Sequence, residues 1–320
     1  MINDIPIELL QTIYNYFLDD IDIVVFAHVS KKWRYIVLNE NPEFLCKQEF
    51  INNAAEKGYI GLIEWALMNG CRMEKTVGDS AAKGGHLKIL KLMHQNNYRF
   101  DEETCSKAAL AGHLQIIKWL HKKGCRWDST TCSNAAFKGH FEILKWARAH
   151  NCPWGCDTCS SAAYEGHFEI LKWARAHNCP WDCDTCSDAA LKGHFEILKW
   201  ARAHNCPWDI WTCAFAVVNG HLDILRFAHE NNCPWDHLVW EKASICGHLD
   251  ILKYAHEEGC SYCMLTHRSM CIRAATTGRL DILIWARENN LLQNHLICEF
   301  AKMNGHYNIL DWARSIGLPE

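Results

Sequence analysis

Between Thr131 and Trp154 the apolar positions fall into two short helical patterns. Cys132, Ala135 and Ala136 share one face of a first helix, with Thr131 placed to cap it, and Ile143, Leu144, Trp146 and Ala147 share one face of a second. Gly139 stands between the two, where a left-handed residue after a helix C-terminus is wanted. The second helix is predicted from about Phe141 to Ala149, with Asn151-Cys152-Pro153 stopping it. No segment alternates with period two, so an all-α fold without strands is expected.

This pattern is itself repeated. Gly139 to Trp154 recurs without change at 166–181 and 193–208, an offset of 27 residues. The glycine column continues through Gly58, Gly85, Gly112, Gly139, Gly166, Gly193, Gly220 and Gly247, then, after a slip of four residues near 261–270, Gly278 and Gly305. Ten copies thus fill residues 51–320, each too short to bury a core alone and therefore stacked on its neighbours as a solenoid. Four residues before each glycine stands an alanine in every copy, from Ala54 to Ala301, which implies close packing of first helices about 8–10 Å apart. Ten layers at that spacing predict a curved rod on the order of 80 Å long. Trp127, Trp154, Trp181, Trp208 and Trp235 are expected to stack one on the next as a ladder beside the loops. The slip is read as a longer loop at Ser261 to Arg268.

Residues 1–50 stand outside the repeat. Asp4 caps and Pro6 opens a helix whose Leu9, Ile13, Tyr16 and Phe17 recur at helical spacing, followed by apolar runs at Ile21 to Val29 and around Trp33. Three short helices with more apolar side chains than so small a unit can bury imply a docking face. An apolar cap over the first repeat is the alternative.

Composition narrows the function. The net charge of −4, with both signs interspersed, offers no basic stripe, so nucleic acid is not an expected partner. No apolar run reaches the roughly 18–20 residues of a membrane span, and the polar Met1 to Asp4 start has no signal-peptide character. A soluble, intracellular, monomeric protein is expected, in the cytoplasm with the nucleus not excluded. Seven of the nineteen cysteines sit thirteen residues after the column glycine and seven sit seven before it, which marks them as small buried apolar residues rather than disulfide partners.

Candidate chemistry is sparse. The histidine after the glycine (His86, His113, His140, His167, His194, His221, His248, His306) climbs the array instead of closing on a point, so a local turn hydrogen bond is expected of it rather than metal ligation. Cys152, Cys156 and Cys159, then Cys179, Cys183 and Cys186, have spacings that approach zinc geometry, but the middle cysteine is missing from the other copies and core packing is favoured. No set of catalytic residues, cofactor site or metal site stands apart from the repeats, and an enzyme is not expected. Recognition is expected where the copies differ: Lys107, Asn134, Ser161, Asp188, Phe215 and Lys242 five residues before the glycine, Lys138, Glu165 and Lys192 one before it, with Asp184 and Trp211 nearby. A solvated face free to drift is the competing reading.

Two resemblances sharpen this. The strings Ile5-Pro6-x-Glu8-Leu9-Leu10, Val29-Ser30-Lys31-Lys32-Trp33-Arg34 and Asn41-Pro42-x-Phe44-Leu45 resemble an F-box, with Ile5 where leucine is usual. The resemblance implies a three-helix unit that docks on the Skp adaptor of cullin-RING ubiquitin ligases. Ile5, Pro6, Leu9, Leu10, Ile13 and Phe17 would lie on the adaptor face, and Val29, Trp33 and Leu45 on or beneath it. The repeat is similar to the ankyrin repeat, shortened from about 33 residues by loss of the segment that builds the β-turn finger. That implies ankyrin-like helix pairs with truncated fingers and no cofactor. An F-box ahead of such an array resembles ankyrin-type proteins of large DNA viruses of amoebae, and implies a substrate receptor of a ubiquitin ligase that holds a target protein. A plain scaffold is the alternative.

Overall fold

The computed structural model describes residues 47–260, 264–292 and 296–318, and in it every regular element is helical. The N-terminal F-box-like strings, with Ile5, Pro6, Leu9, Leu10, Ile13, Phe17, Val29, Trp33 and Leu45, lie outside the described residues. Among the described residues twenty helices form ten pairs. In the unit read above, the first helix is Ser129–Phe137 and the second Phe141–Ala149. Helices of nine residues are marginal alone in water, so their stability comes from stacking.

The ends of these helices are set by three columns. Each first helix closes in a Schellman turn whose left-handed residue is the column glycine. Gly112 N donates to Ala109 O and His113 N to Ala108 O, at 3.3 and 2.9 Å. The accepting alanine is the invariant one, and it is fully buried in all ten copies, from Ala54 to Ala301. Each second helix ends the same way twelve residues later, on Asn97, Asn151, Asn178, Asn205, Asn232 and Asn290, or on Gly70, Gly124, Gly259 and Gly317, all at positive φ. Asn151 therefore stops its helix by adopting the left-handed conformation, ahead of Pro153. At the other end the cap is Asp128, whose carboxylate accepts from Thr130 N at 3.0 Å. Thr131, expected to cap, lies inside the helix with its side chain buried.

Packing divides the chain into two units, up to Thr158 and from Cys159 onward. In the first, α1 (Gln48–Lys57), α3 (Lys75–Lys83), α5 (Glu102–Leu110) and α7 (Ser129–Phe137) are first helices packed successively on one another. In the second, first helices pack successively in the same manner through α11 (Cys183–Lys192), α13 (Ile210–Val218), α15 (His237–Cys246), α17 (Met264–Thr276) and α19 (Ile297–Met303). Each of these packs on its own second helix, whose aliphatic pair, such as Ile143 and Leu144 or Ile197 and Leu198, is buried at about 1.5–3 kcal/mol per side chain. Trp146, grouped with them from the sequence, is only half-buried.

Two further expectations are corrected. The four slipped residues lengthen a helix and not a loop: α17 has 13 residues where its counterpart α7 has 9. The tryptophans after Cys-Pro have partners within their own repeats. Trp154, Trp181 and Trp208 lie beneath the guanidinium groups of Arg148, Arg175 and Arg202, at 4.1, 4.0 and 3.9 Å. Trp127 and Trp235 stack on His121 and His229 in the same column. Each arginine is fixed in turn by the carbonyl of Cys152, Cys179 or Cys206.

Candidate target-binding surface

The residues singled out for recognition all fall on or beside the first helices. In the first unit Lys107 is tied to Glu103 one turn earlier, Nζ to Oε1 2.9 Å. Asn134 reaches across to the preceding first helix, its Nδ2 donating to Ser106 O at 3.3 Å. Lys138 is exposed, with its ammonium 4.8 Å from the centre of the Phe137 ring. In the second unit Ser161 and Lys242 are half-buried, and Glu165 and Asp184 exposed. Lys192 lies 4.3 Å above the Tyr164 ring, again on the preceding first helix. Trp211 is 43% exposed and its ring packs 5.6 Å from that of Phe215. Asp188 is half-buried, and its carboxyl is pushed up to about 6 by burial first, then by Asp184 and Asp182. Within each unit these side chains lie on successive first helices or just beside them.

A column that sequence reasoning passed over completes the surface. Two residues before the glycine, six successive copies carry Leu110, Phe137, Tyr164, Leu191, Val218 and Ile245, largely apolar though rarely the same, where other copies carry Glu56, Lys83 and Thr276, which was the available signal. Ile245 is exposed and borders a cleft of about 430 Å³ with Arg268, Ile272, Arg273, Thr276 and Phe300. Arg273 is held there by Glu241, Nη2 to Oε1 3.1 Å. In the first unit a second hollow of about 440 Å³ opens among the loops, beside Tyr98, Arg99, Phe100 and Lys123.

The histidine column does something other than close its own turn. Nε2 of His86, His113, His140, His194, His248 and His306 faces a carbonyl of the preceding repeat, for example Glu56 O at 2.9 Å and Tyr164 O at 3.1 Å. A carbonyl only accepts, so Nε2 carries the proton and the ring pins one repeat to the last. At Gly278 the column holds Arg279, whose guanidinium donates to Gly247 O instead.

The cysteine columns meet as pairs within a repeat. Cys105 Sγ lies 3.4 Å from Cys125 Sγ, and Cys125 Sγ donates to the carbonyl of the cap residue Asp101 at 3.1 Å. Cys159 with Cys179, Cys186 with Cys206 and Cys213 with Cys233 pair likewise, and the partner thiol and then burial push the titration of Cys105, Cys159, Cys206 and Cys213 far up. Cys179, Cys183 and Cys186, which the spacing brought into one candidate set, thus have three different partners, Cys159, Asp209 and Cys206. Among the described residues no group of three or more His, Cys, Asp or Glu gathers to hold a metal ion. Cys71 differs from the other described cysteines in being disulfide-bonded.

Comparison with known proteins agrees with this architecture. Residues 2–45 match the family model of the F-box domain, and residues 105–148 that of ankyrin repeats in many copies. The chain thus carries one segment that matches an F-box and one that matches ankyrin repeats. No curated protein matches it. Among solved structures it is similar to the ankyrin repeat domain of human ASB11, with 15% identity, 51% of this chain and 85% of that one covered, and a TM-score of 0.41. It is also similar to the maize pentatricopeptide repeat protein PPR10, with 12% identity over 95% of this chain and 54% of that one, TM-score 0.37. A complex of PPR10 with an RNA element matches at 9% identity, 99% and 62% coverage and TM-score 0.34. Scores this low carry no functional argument. Among the described residues no helix is long and apolar enough to cross a membrane.

Proposed function

We propose that the protein is a substrate-recruiting adaptor of a Skp-cullin-F-box ubiquitin ligase, in which the F-box holds the Skp adaptor and the repeats hold a target protein. The observation that carries this reading is the F-box match over residues 2–45, immediately ahead of the array. Ile5, Pro6, Leu9, Leu10, Ile13 and Phe17 form the adaptor face in this reading, supported by Val29, Trp33 and Leu45. The target surface is the row of first helices, where side chains vary from copy to copy on a scaffold that does not. Ubiquitin transfer belongs to other subunits, so the protein needs no catalytic residue or cofactor of its own. The likeness to ankyrin-type proteins of large DNA viruses of amoebae would make a host ligase the one engaged.

Pull-down of full-length chain with a purified Skp adaptor tests the proposal. Wild type is expected to capture the adaptor, and the double variant Leu9→Ala/Trp33→Ala to lose it while an array variant such as Lys242→Ala keeps it. If wild type captures no adaptor, the ligase reading sinks and a scaffold headed by a cap is what remains.

A further inference from the structure

We propose that Asp188 and Trp211, with Phe215 beside them, clamp a lysine or arginine side chain of the protein that the array recruits. The inference rests on the reading of the repeats as a recruiting surface, and adds the chemistry of what one part of it takes. Asp188 lies on α11 and Phe215 occupies the same column of α13, the first helix packed against it. Trp211 stands one turn before Phe215 on that same face, as their ring contact shows. In the first unit a residue of this column reaches the backbone of the preceding first helix, as Asn134 does to Ser106. An acidic side chain and two aromatic rings therefore share one strip of surface, with the indole open to solvent.

What is missing from the strip is a positive charge. Among the described residues Asp188 has no hydrogen-bond or ion-pair partner, although it is half-buried. Its own helix brings Asp182 and Asp184, which repel it, and Lys192, whose ammonium is turned to the Tyr164 ring instead. From the helix before it, Ser161, Tyr164 and Glu165 offer no cation; from α13, Trp211, Phe215 and Asn219 offer none. A cation from outside would gain both the carboxylate and the face of the indole, the two partners an ammonium or guanidinium prefers. Burial raises the affinity of the empty carboxyl for a proton, so occupancy should fall as the pH drops through about 6.

The test uses the full chain labelled with 5-fluorotryptophan, the resonance of Trp211 being assigned by its loss in Trp211→Phe. A glycine–serine nonapeptide with one central arginine is titrated at pH 7.5 beside a twin carrying neutral citrulline. The expected result is a saturable shift of the Trp211 resonance with arginine, at least about five-fold weaker with citrulline. Asp188→Asn should abolish it while the other tryptophan resonances stay in place. A flat titration, an equal response to citrulline, or an unchanged response in Asp188→Asn overturns the clamp. Failure to capture a Skp adaptor would sink the ligase reading and leave this titration untouched, so the two failures are distinguishable.

Discussion

The ring of His140 fills the space that Gly112 leaves by having no side chain: a Cβ on Gly112 would stand 2.7 Å from Cε1 of His140, one repeat later. The same histidine meets the carbonyl of Leu110 at 3.3 Å. Two demands therefore fall on one glycine, a φ of +86° and an empty space beside it. Gly124, at φ +76°, has nothing within 4 Å of the corresponding point and carries only the first demand.

Alanine at these two glycines should separate the demands. Gly124→Ala is expected to cost about 1 kcal/mol, the ordinary penalty of a left-handed alanine. Gly112→Ala should cost at least about 2 kcal/mol, because His140 must move and give up its hydrogen bond as well. Urea titration of both variants compares them, and equal costs would show that the histidine contact between repeats adds nothing.

The threonine column yields a contrast of the opposite kind. Thr104 donates to Oδ1 of the buried Asp79 at 2.7 Å, whereas the hydroxyl of Thr131 is buried with no partner among the described residues. The chain itself places Val77 and Val239 in this column. Thr131→Val should thus stabilise by up to about 1 kcal/mol, while Thr104→Val should destabilise by about 1–3 kcal/mol by stripping Asp79 of its donor. A loss of stability in Thr131→Val under thermal melting would refute the idea that its hydroxyl is idle.

Why the sequence told some of this and not the rest has a physical reason. The glycine and alanine columns gave the phase of the repeat and the ends of the first helices, because positive φ and zero space each admit few residue types. A perfect repeat cannot say whether a constrained position answers to its own unit or to the next, since both contacts recur at the same 27-residue interval. His140 was accordingly read as a local turn partner and is in fact a link between repeats. Trp154 looked like a ladder rung, yet Arg148 is its partner within the same repeat. On the proposed recognition surface, attention to positions that differ between copies singled out Asp188 and Trp211 but passed over the largely apolar run from Leu110 to Ile245. Variation that stays apolar resembles core drift until exposure is known.

Pairing of the thiols should control their reactivity. Cys105 is fully buried, hydrogen-bonded through Cys125 and held far above the range in which a thiolate forms, whereas Cys246 is exposed. With N-ethylmaleimide at neutral pH, mass spectrometry should find Cys246 modified first, and Cys105, Cys159 and Cys213 only as fast as the repeats open. Comparable labelling of Cys105 and Cys246 in folded protein would contradict the buried pair.

Asp188 makes the last prediction, one in which stability reports on the candidate surface. Its carboxyl titrates at about 6 in the folded chain, and an unfolded aspartate at about 3.9. Between those values the folded state binds more protons than the unfolded one, so stability falls as pH rises across that window, and the penalty is fully present above it. Asparagine cannot ionise, and Asn134 shows that it fits this column. Asp188→Asn should therefore be more stable than wild type at pH 7.5, by about 1 kcal/mol once solvent screening of the partly exposed group is allowed for, and indistinguishable from it near pH 4. Urea midpoints at the two pH values measure this. A gain of the same size at both would mean that the charge is not its source, and a loss at pH 7.5 would mean that the carboxylate already has a partner within the fold. If the gain appears only at the higher pH, the chain carries an unpaired charge at a cost that packing does not require, as expected where the missing partner is a ligand.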